Sequence, residues 1–111
     1  MAIRIDIAQN FSRTPGPRSR DEGDFSGQQF REDLLWPQVK DAIAQGHTLT
    51  INLDGTAGYG TSFLEEAFGG LIREHGLSYE QLRATLTFES NEESYLPNDI
   101  DGYMKDAQAN R

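Results

Sequence analysis

Thr48-Leu49-Thr50-Ile51-Asn52-Leu53-Asp54 alternates polar and apolar residues, and Gly55 to Gly60 follows as a glycine-rich turn. From Thr61 or Ser62 the spacing changes, and Phe63, Leu64, Ala67, Phe68, Leu71 and Ile72 recur on one helical face until Gly76. A period of two predicts a half-buried strand, and a period near 3.6 predicts an amphipathic helix. A strand leading through a turn into a helix is half of a crossover unit, so the fold depends on whether the unit repeats on either side.

Upstream, Ala2-Ile3-Arg4-Ile5-Asp6-Ile7 alternates in the same way and predicts a strand through Ile7. Ala8 to Asp24 is too rich in Pro, Gly and Ser for a regular element, giving a long basic loop at about residues 9–25. Ser26 with Gln29 forms a capping-box pattern, and Phe25 with Phe30 is placed as its hydrophobic staple. The helix that follows carries Phe30, Leu34, Leu35, Val39, Ala42 and Ile43 on one face. Pro37 removes a backbone donor and should kink or split this helix near Trp36, and Gly46 should end it.

Downstream, adjacent Gly69 and Gly70 weaken the second helix unless close packing compensates. Ser78 with Gln81 opens one short helical turn, and Thr85 to Glu89 reads as the third strand with Ser90 to Ser94 as its acidic exit. Leu96, Ile100, Tyr103, Met104 and Ala107 form a last helical stripe, with Pro97 in its first turn. Alternating strands and helices require crossovers, so the expected fold is α/β: a small, mainly parallel or mixed sheet with helices packed chiefly on one face.

The 111 residues fit a single domain spanning 1–111, with a thin core, because Leu, Ile, Val and Phe number only 24. The absence of cysteine excludes disulfides, thiol catalysis and thiolate metal sites. No apolar leader or bilayer-length stretch is present, so a cytoplasmic protein is expected. Net charge is −8, although residues 1–20 carry four Arg against one Asp and leave −11 for the remainder. A strongly acidic body disfavours nucleic-acid and membrane partners.

Ligands of parallel sheets gather beyond the carboxyl ends of the strands, and these ends lead into the Arg13 to Arg20, Asp54 to Ser62 and Ser90 to Ser94 loops. Gly55 to Ser62 matches a phosphate-binding loop except that Thr61 stands where its lysine belongs, so nucleotide hydrolysis is not expected. The turn formed by Gly58, Tyr59 and Gly60 leads into a helix start whose N–H groups suit an anion. Alternatively, the glycines only make the turn, and Ser62 with Glu65 caps the helix. Arg13, Arg18 and Arg20 suit an anion or acidic partner groups, or else pair with the protein's own carboxylates. Asp54 orients a hydroxyl or holds the turn. Glu65 and Glu66 read as solvated, and His47 and His75 as surface or cap residues. Asp99-Ile100-Asp101-Gly102 is only a fragment of a calcium loop, and no cofactor or metal is expected.

Arg13 to Arg18, Phe25-Ser26-Gly27-Gln28-Gln29-Phe30-Arg31, Asn52 to Gly55 and Gly58 to Gly69 resemble the STAS-like family of unknown function found in bacteria and phages, over roughly residues 3–90. The wider STAS fold, best known from bacterial anti-sigma-factor antagonists, has a small sheet with helices on one side. There, Asp-Ser-Ser opens a helix, and a partner kinase phosphorylates the first Ser. That acceptor falls on Thr61 and the second Ser on Ser62, whereas Gly60 replaces the Asp and Phe63 the usual Gly. The resemblance implies a non-enzymatic regulatory or protein-interaction module whose partner docks at the Thr61 helix start. A binder of a small anionic ligand such as a nucleotide is the alternative, and an acidic mimic of nucleic acid is a more distant one.

Overall fold

A computed structural model describes residues 2–111. Strand β1 (Ala2–Asp6) leads into a short helix α1 (Ile7–Asn10), and a 3-10 turn at Arg20–Glu22 interrupts the loop that follows. Helix α2 covers residues 27–45 and is followed by β2 (Thr48–Asn52). Helix α3 covers residues 61–75, then come α4 (Tyr79–Thr85), β3 (Leu86–Glu89) and α5 (Leu96–Ala109). The strands form one sheet in the order β1-β2-β3, with both pairs parallel.

Register explains why only one face needs covering. Ile3 pairs with Leu49 and Leu49 with Leu86; Ile5 pairs with Ile51 and Ile51 with Phe88. All six point to the helices, and Ile5, Leu49 and Ile51 are fully buried against Phe30, Phe63, Phe68 and Leu71. The intervening positions place Arg4, Thr50 and Thr87 in one row on the other face. That face is held by hydrogen bonding between the Thr50 and Thr87 hydroxyls (2.9 Å) and by an Arg4 to Glu89 ion pair. The apolar face of this three-stranded sheet is buried by the helices packed on it, which supply the contacts that hold it.

Several boundaries differ from the sequence expectation. Ile7 lies in α1 and not in the strand, because the Asp6 side chain accepts the Gln9 N–H and caps a helix there. Pro37 neither splits nor ends α2: a π-helical segment at Arg31–Leu35 widens the helix immediately before it, and the Trp36 N–H reaches back to the Arg31 carbonyl. The Ser78 box opens a seven-residue helix that takes in Thr85, whose hydroxyl bonds to the Gln81 carbonyl. Phe25 is not a staple for Phe30. It sits at φ 55, is 42% exposed and meets Phe11 edge-on, while Phe11 packs on Phe30. Gly46 and Gly76 terminate their helices as expected, in the left-handed conformation that glycine adopts without steric cost. Among the described residues, no helix is long and apolar enough to cross a membrane.

Candidate functional site

At the carboxyl end of the sheet, hydrogen bonds fix the loops to one another. The Asn52 side-chain amide donates to Asp6, and its carbonyl accepts the Asp54 N–H. The Asp54 carboxylate in turn accepts the N–H groups of Glu92 and Asn91, both at 2.9 Å, and the Asn91 side-chain amide at 3.1 Å. These donors hold the Asp54 carboxyl below its usual range. The Glu92 carboxylate returns the contact by accepting the Gly55 N–H. Asp54 is thus spent on holding the turn after β2 to the turn after β3.

Tyr59 anchors the other end of the turn. Its hydroxyl donates to the Leu53 carbonyl at 2.8 Å and its ring leans on Phe63, with burial pushing its pKa up to about 12. Gly58 donates its N–H to the Thr56 hydroxyl, and Ala57 donates to the Arg13 carbonyl, which ties the basic loop to this turn. That loop is itself stitched down: the Gly16 N–H bonds to the Phe25 carbonyl, Gly27 to Pro17 and Gln28 to Arg18. The long segment is therefore an ordered strap over the start of α2.

Helix α3 begins on this platform without a side-chain cap. Gly60 is its N-cap, so neither Ser62 nor Glu65 serves the capping role. Thr61 and Ser62 are exposed, and among the described residues their hydroxyls have no hydrogen-bond partner within the chain. The first turn of α3 thus presents backbone donors and two hydroxyls together, on the positive end of a helix dipole.

One turn further on, the chemistry is reversed. The guanidinium of Arg18 contacts Glu65 at 2.6 Å and Glu66 at 3.2 Å, while Arg73 clasps Glu65 from the other side. Arg31, only 3% exposed, donates to the Glu66 carboxylate at 2.6 Å and to its carbonyl at 2.7 Å. Glu65 and Glu66 are therefore the centre of a five-residue charge cluster and not solvated residues. Burial pushes the Glu65 carboxyl up, but the bonds from Arg73 and Arg18 outweigh it and leave its pKa below the ordinary value. Helices α2 and α3 approach closely enough to build this cluster because two glycines omit their side chains. A Cβ on Gly70 would stand 2.2 Å from the Arg31 guanidinium, and one on Gly27 would stand 2.4 Å from the Phe63 carbonyl. The packing expected to compensate Gly70 is the seat of Arg31.

The basic loop thus divides. Arg18 is bound to α3, and Arg20 pairs with Glu32 and Asp33 of α2, both at 2.9 Å. Arg13 is exposed and, among the described residues, makes no ion pair; its backbone alone joins the Asp54 to Ser62 turn. The structure brings Arg13, Asp54, Gly58, Tyr59, Gly60, Thr61 and Ser62 to one end of the sheet and places Arg20 on the flank of α2. Sequence reasoning missed Arg31, Glu66 and Arg73. A signal was present, since Arg31 falls beside Phe30 and Leu35 on the buried side of α2, where an uncompensated charge would not be tolerated. His75 stacks flat on Trp36 at 4.3 Å, far from the Thr61 end of its helix, and among the described residues no His, Asp and Glu cluster could hold a metal ion.

Comparison with protein families matches residues 26–96 to the STAS-like domain of unknown function (DUF4325). The matched segment runs from the Ser26 cap of α2 to the first residue of α5, so it contains the Thr61 helix start and four members of the charge cluster, Arg31, Glu65, Glu66 and Arg73. Strand β1 and the basic loop, Arg18 included, lie outside it. No curated protein and no solved structure matches the chain.

Proposed function

The chain belongs to the STAS-like domain family of unknown function, and from that premise we propose that it is a non-enzymatic regulatory module of the cytoplasm that docks a protein partner on the Thr61 helix start. The observation that carries this reading is the exposed, uncapped first turn of α3, with two free hydroxyls on a loop held rigid from both sides. A partner supplying acceptor groups satisfies the N–H donors and hydroxyls without rearranging the loop, so little ordering cost opposes binding. Among the described residues, two grooves, one beside β3 and one at the amino end of β2, are lined by none of these residues. An extended protein surface therefore fits the site better than an enclosed small molecule does.

The alternative, a small anionic ligand, has one observation in its favour: Arg13 is exposed and tethered to the same turn. It loses support from Arg18 and Arg20, whose charges are already paired.

The test uses the chain as bait in three forms: wild type, Thr61→Asp, and the exposed control Lys40→Glu. Asp at position 61 fills the helix start with its own negative charge, so a protein retained by wild type and Lys40→Glu should be lost by Thr61→Asp. Thermal melts of the three should overlay within the small range of surface substitutions. Equal retention by all three forms sinks the docking site. Saturable ATP or GTP binding by calorimetry, abolished by Arg13→Ala, would transfer the function to the ligand reading.

A further inference from the structure

Strand β3 is an edge of the sheet, and its backbone contacts with β2 show which groups remain free. Leu53 donates to the Glu89 carbonyl, so Glu89 and Thr87 face β2, and Leu86 and Phe88 face outward by the alternation of a strand. The Leu86 N–H is spent on the Leu82 carbonyl at the end of α4. The Leu86 carbonyl and both backbone groups of Phe88 have no partner among the described residues. Beside this open edge runs a groove of about 300 Å³, with Leu82, Leu86, Phe88, Pro97 and Met104 on its apolar wall and Arg83, Asn98 and Asp101 on its polar one. An unpaired edge next to a groove with an apolar wall is a template for another strand.

The charges around β3 say which strand fits. Arg83, 68% exposed and only loosely paired with Asp101 at 3.7 Å, lies just before its amino end. Glu89, Glu92 and Glu93 lie at and beyond its carboxyl end, Glu89 paired with Arg4 and Glu92 also accepting the Gly55 N–H. A second copy running antiparallel sets each end against the opposite charge of its partner, and a parallel copy would set like against like. We infer that two copies of this chain pair antiparallel through β3 about a two-fold axis at Phe88, forming a continuous six-stranded sheet. In this register the Phe88 N–H and carbonyl groups of the two copies bond to each other, and each Leu86 carbonyl accepts the Ser90 N–H of the other copy. The reciprocal bond, from the Leu86 N–H to the Ser90 carbonyl, is forgone because that N–H is held by Leu82, so the ladder ends there. The two Phe88 side chains meet on the apolar face over the grooves, and Arg83 approaches Glu92 and Glu93 across the axis. The pairing is independent of the Thr61 surface, which belongs to another part of the sheet's end.

Sedimentation equilibrium of the purified chain up to about 0.5 mM tests this, a range suited to the weak class of interfaces. Wild type should show a monomer and dimer equilibrium. Arg83→Glu should weaken it by at least about tenfold, and Arg83→Glu combined with Glu93→Arg should restore it. Circular dichroism melts check that the substitutions leave the fold intact. A wild-type chain that stays monomeric throughout, including one whose edge takes only an extended segment of some other protein, overturns the inference. So does a dimer indifferent to Arg83→Glu, or one that the paired reversal fails to restore.

Discussion

Two neighbouring turns of α3 behave as opposites. At Thr61 and Ser62 the polar groups face solvent with nothing in the chain to meet them, while at Glu65 and Glu66 three arginines from three different segments converge. Both turns are polar in sequence, and what separates them is the approach of α2. Gly27 brings the α2 backbone against Phe63, and from there onward α3 is covered by α2 and the strap. The difference teaches that on this helix a charge is structural where another element crosses it, and available where none does.

The largest effect should come from breaking the covered turn at its most buried point. Arg31→Met removes the cation that meets Glu66 and should cost about 3 kcal/mol, the low end for an orphaned buried charge, because Arg18 and Arg73 still reach that carboxylate. Urea denaturation measures it, and a loss below about 1 kcal/mol would show that the cluster is ornamental. Arg18→Glu, at the exposed rim, should cost about 1 kcal/mol, since a partly solvated pair is exchanged for like charges beside Glu65. A binding defect in that variant must therefore be corrected for stability before it is read as loss of a contact.

Acid should distinguish the two turns without any mutation. The Glu65 pKa lies below its ordinary 4.5, so the folded state favours the ionised form and the unfolded state takes up protons first as pH falls. The resulting stability is complete above pH 4.5 and is lost as pH drops from there through the folded value. Melting temperatures between pH 6 and pH 3 should fall less steeply for Arg73→Ala than for wild type, and identical slopes would contradict the assignment. Nothing in the first turn titrates in this window.

The smallest effect belongs to the open turn. Thr61→Asp should raise stability by up to about 0.5 kcal/mol, because a carboxylate at an uncapped helix start meets free N–H groups and the positive dipole end. A loss of more than about 1 kcal/mol would mean that the Thr61 hydroxyl supports the fold.

Much of the molecule was legible from its periodicities. Alternation marked all three strands and chose their apolar face, and the helical spacing of Phe63 through Ile72 marked α3, because both signals are local properties of the backbone. The Gly55 to Ser62 segment was legible as the connection from β2 to α3 for the same reason, being a short stretch between two clear periods. Boundaries slipped where one side chain outweighed the pattern, as when the Asp6 carboxylate turned Ile7 into a helix. Phe25 slipped for a different reason: Phe11, fourteen residues earlier, occupies the place beside Phe30 that a local staple would have filled.

By itself, the sequence determined an α/β chain with parallel strands, one bare polar sheet face and a strand-to-helix turn ending at Thr61. Tertiary structure alone decided which of its charges are free. Arg13, Arg18 and Arg20 look equivalent in a basic loop, yet Arg18 is taken by α3, Arg20 by α2, and Arg13 makes no ion pair among the described residues. Pairing depends on which carboxylates lie within a few ångströms after folding, and the Coulomb interaction of exposed groups fades within a Debye length. Segments 35 to 48 residues apart in the chain, such as Arg31 with Glu66 and Arg18 with Glu66, met because Gly27 and Gly70 let two helices touch. No local period records such a meeting.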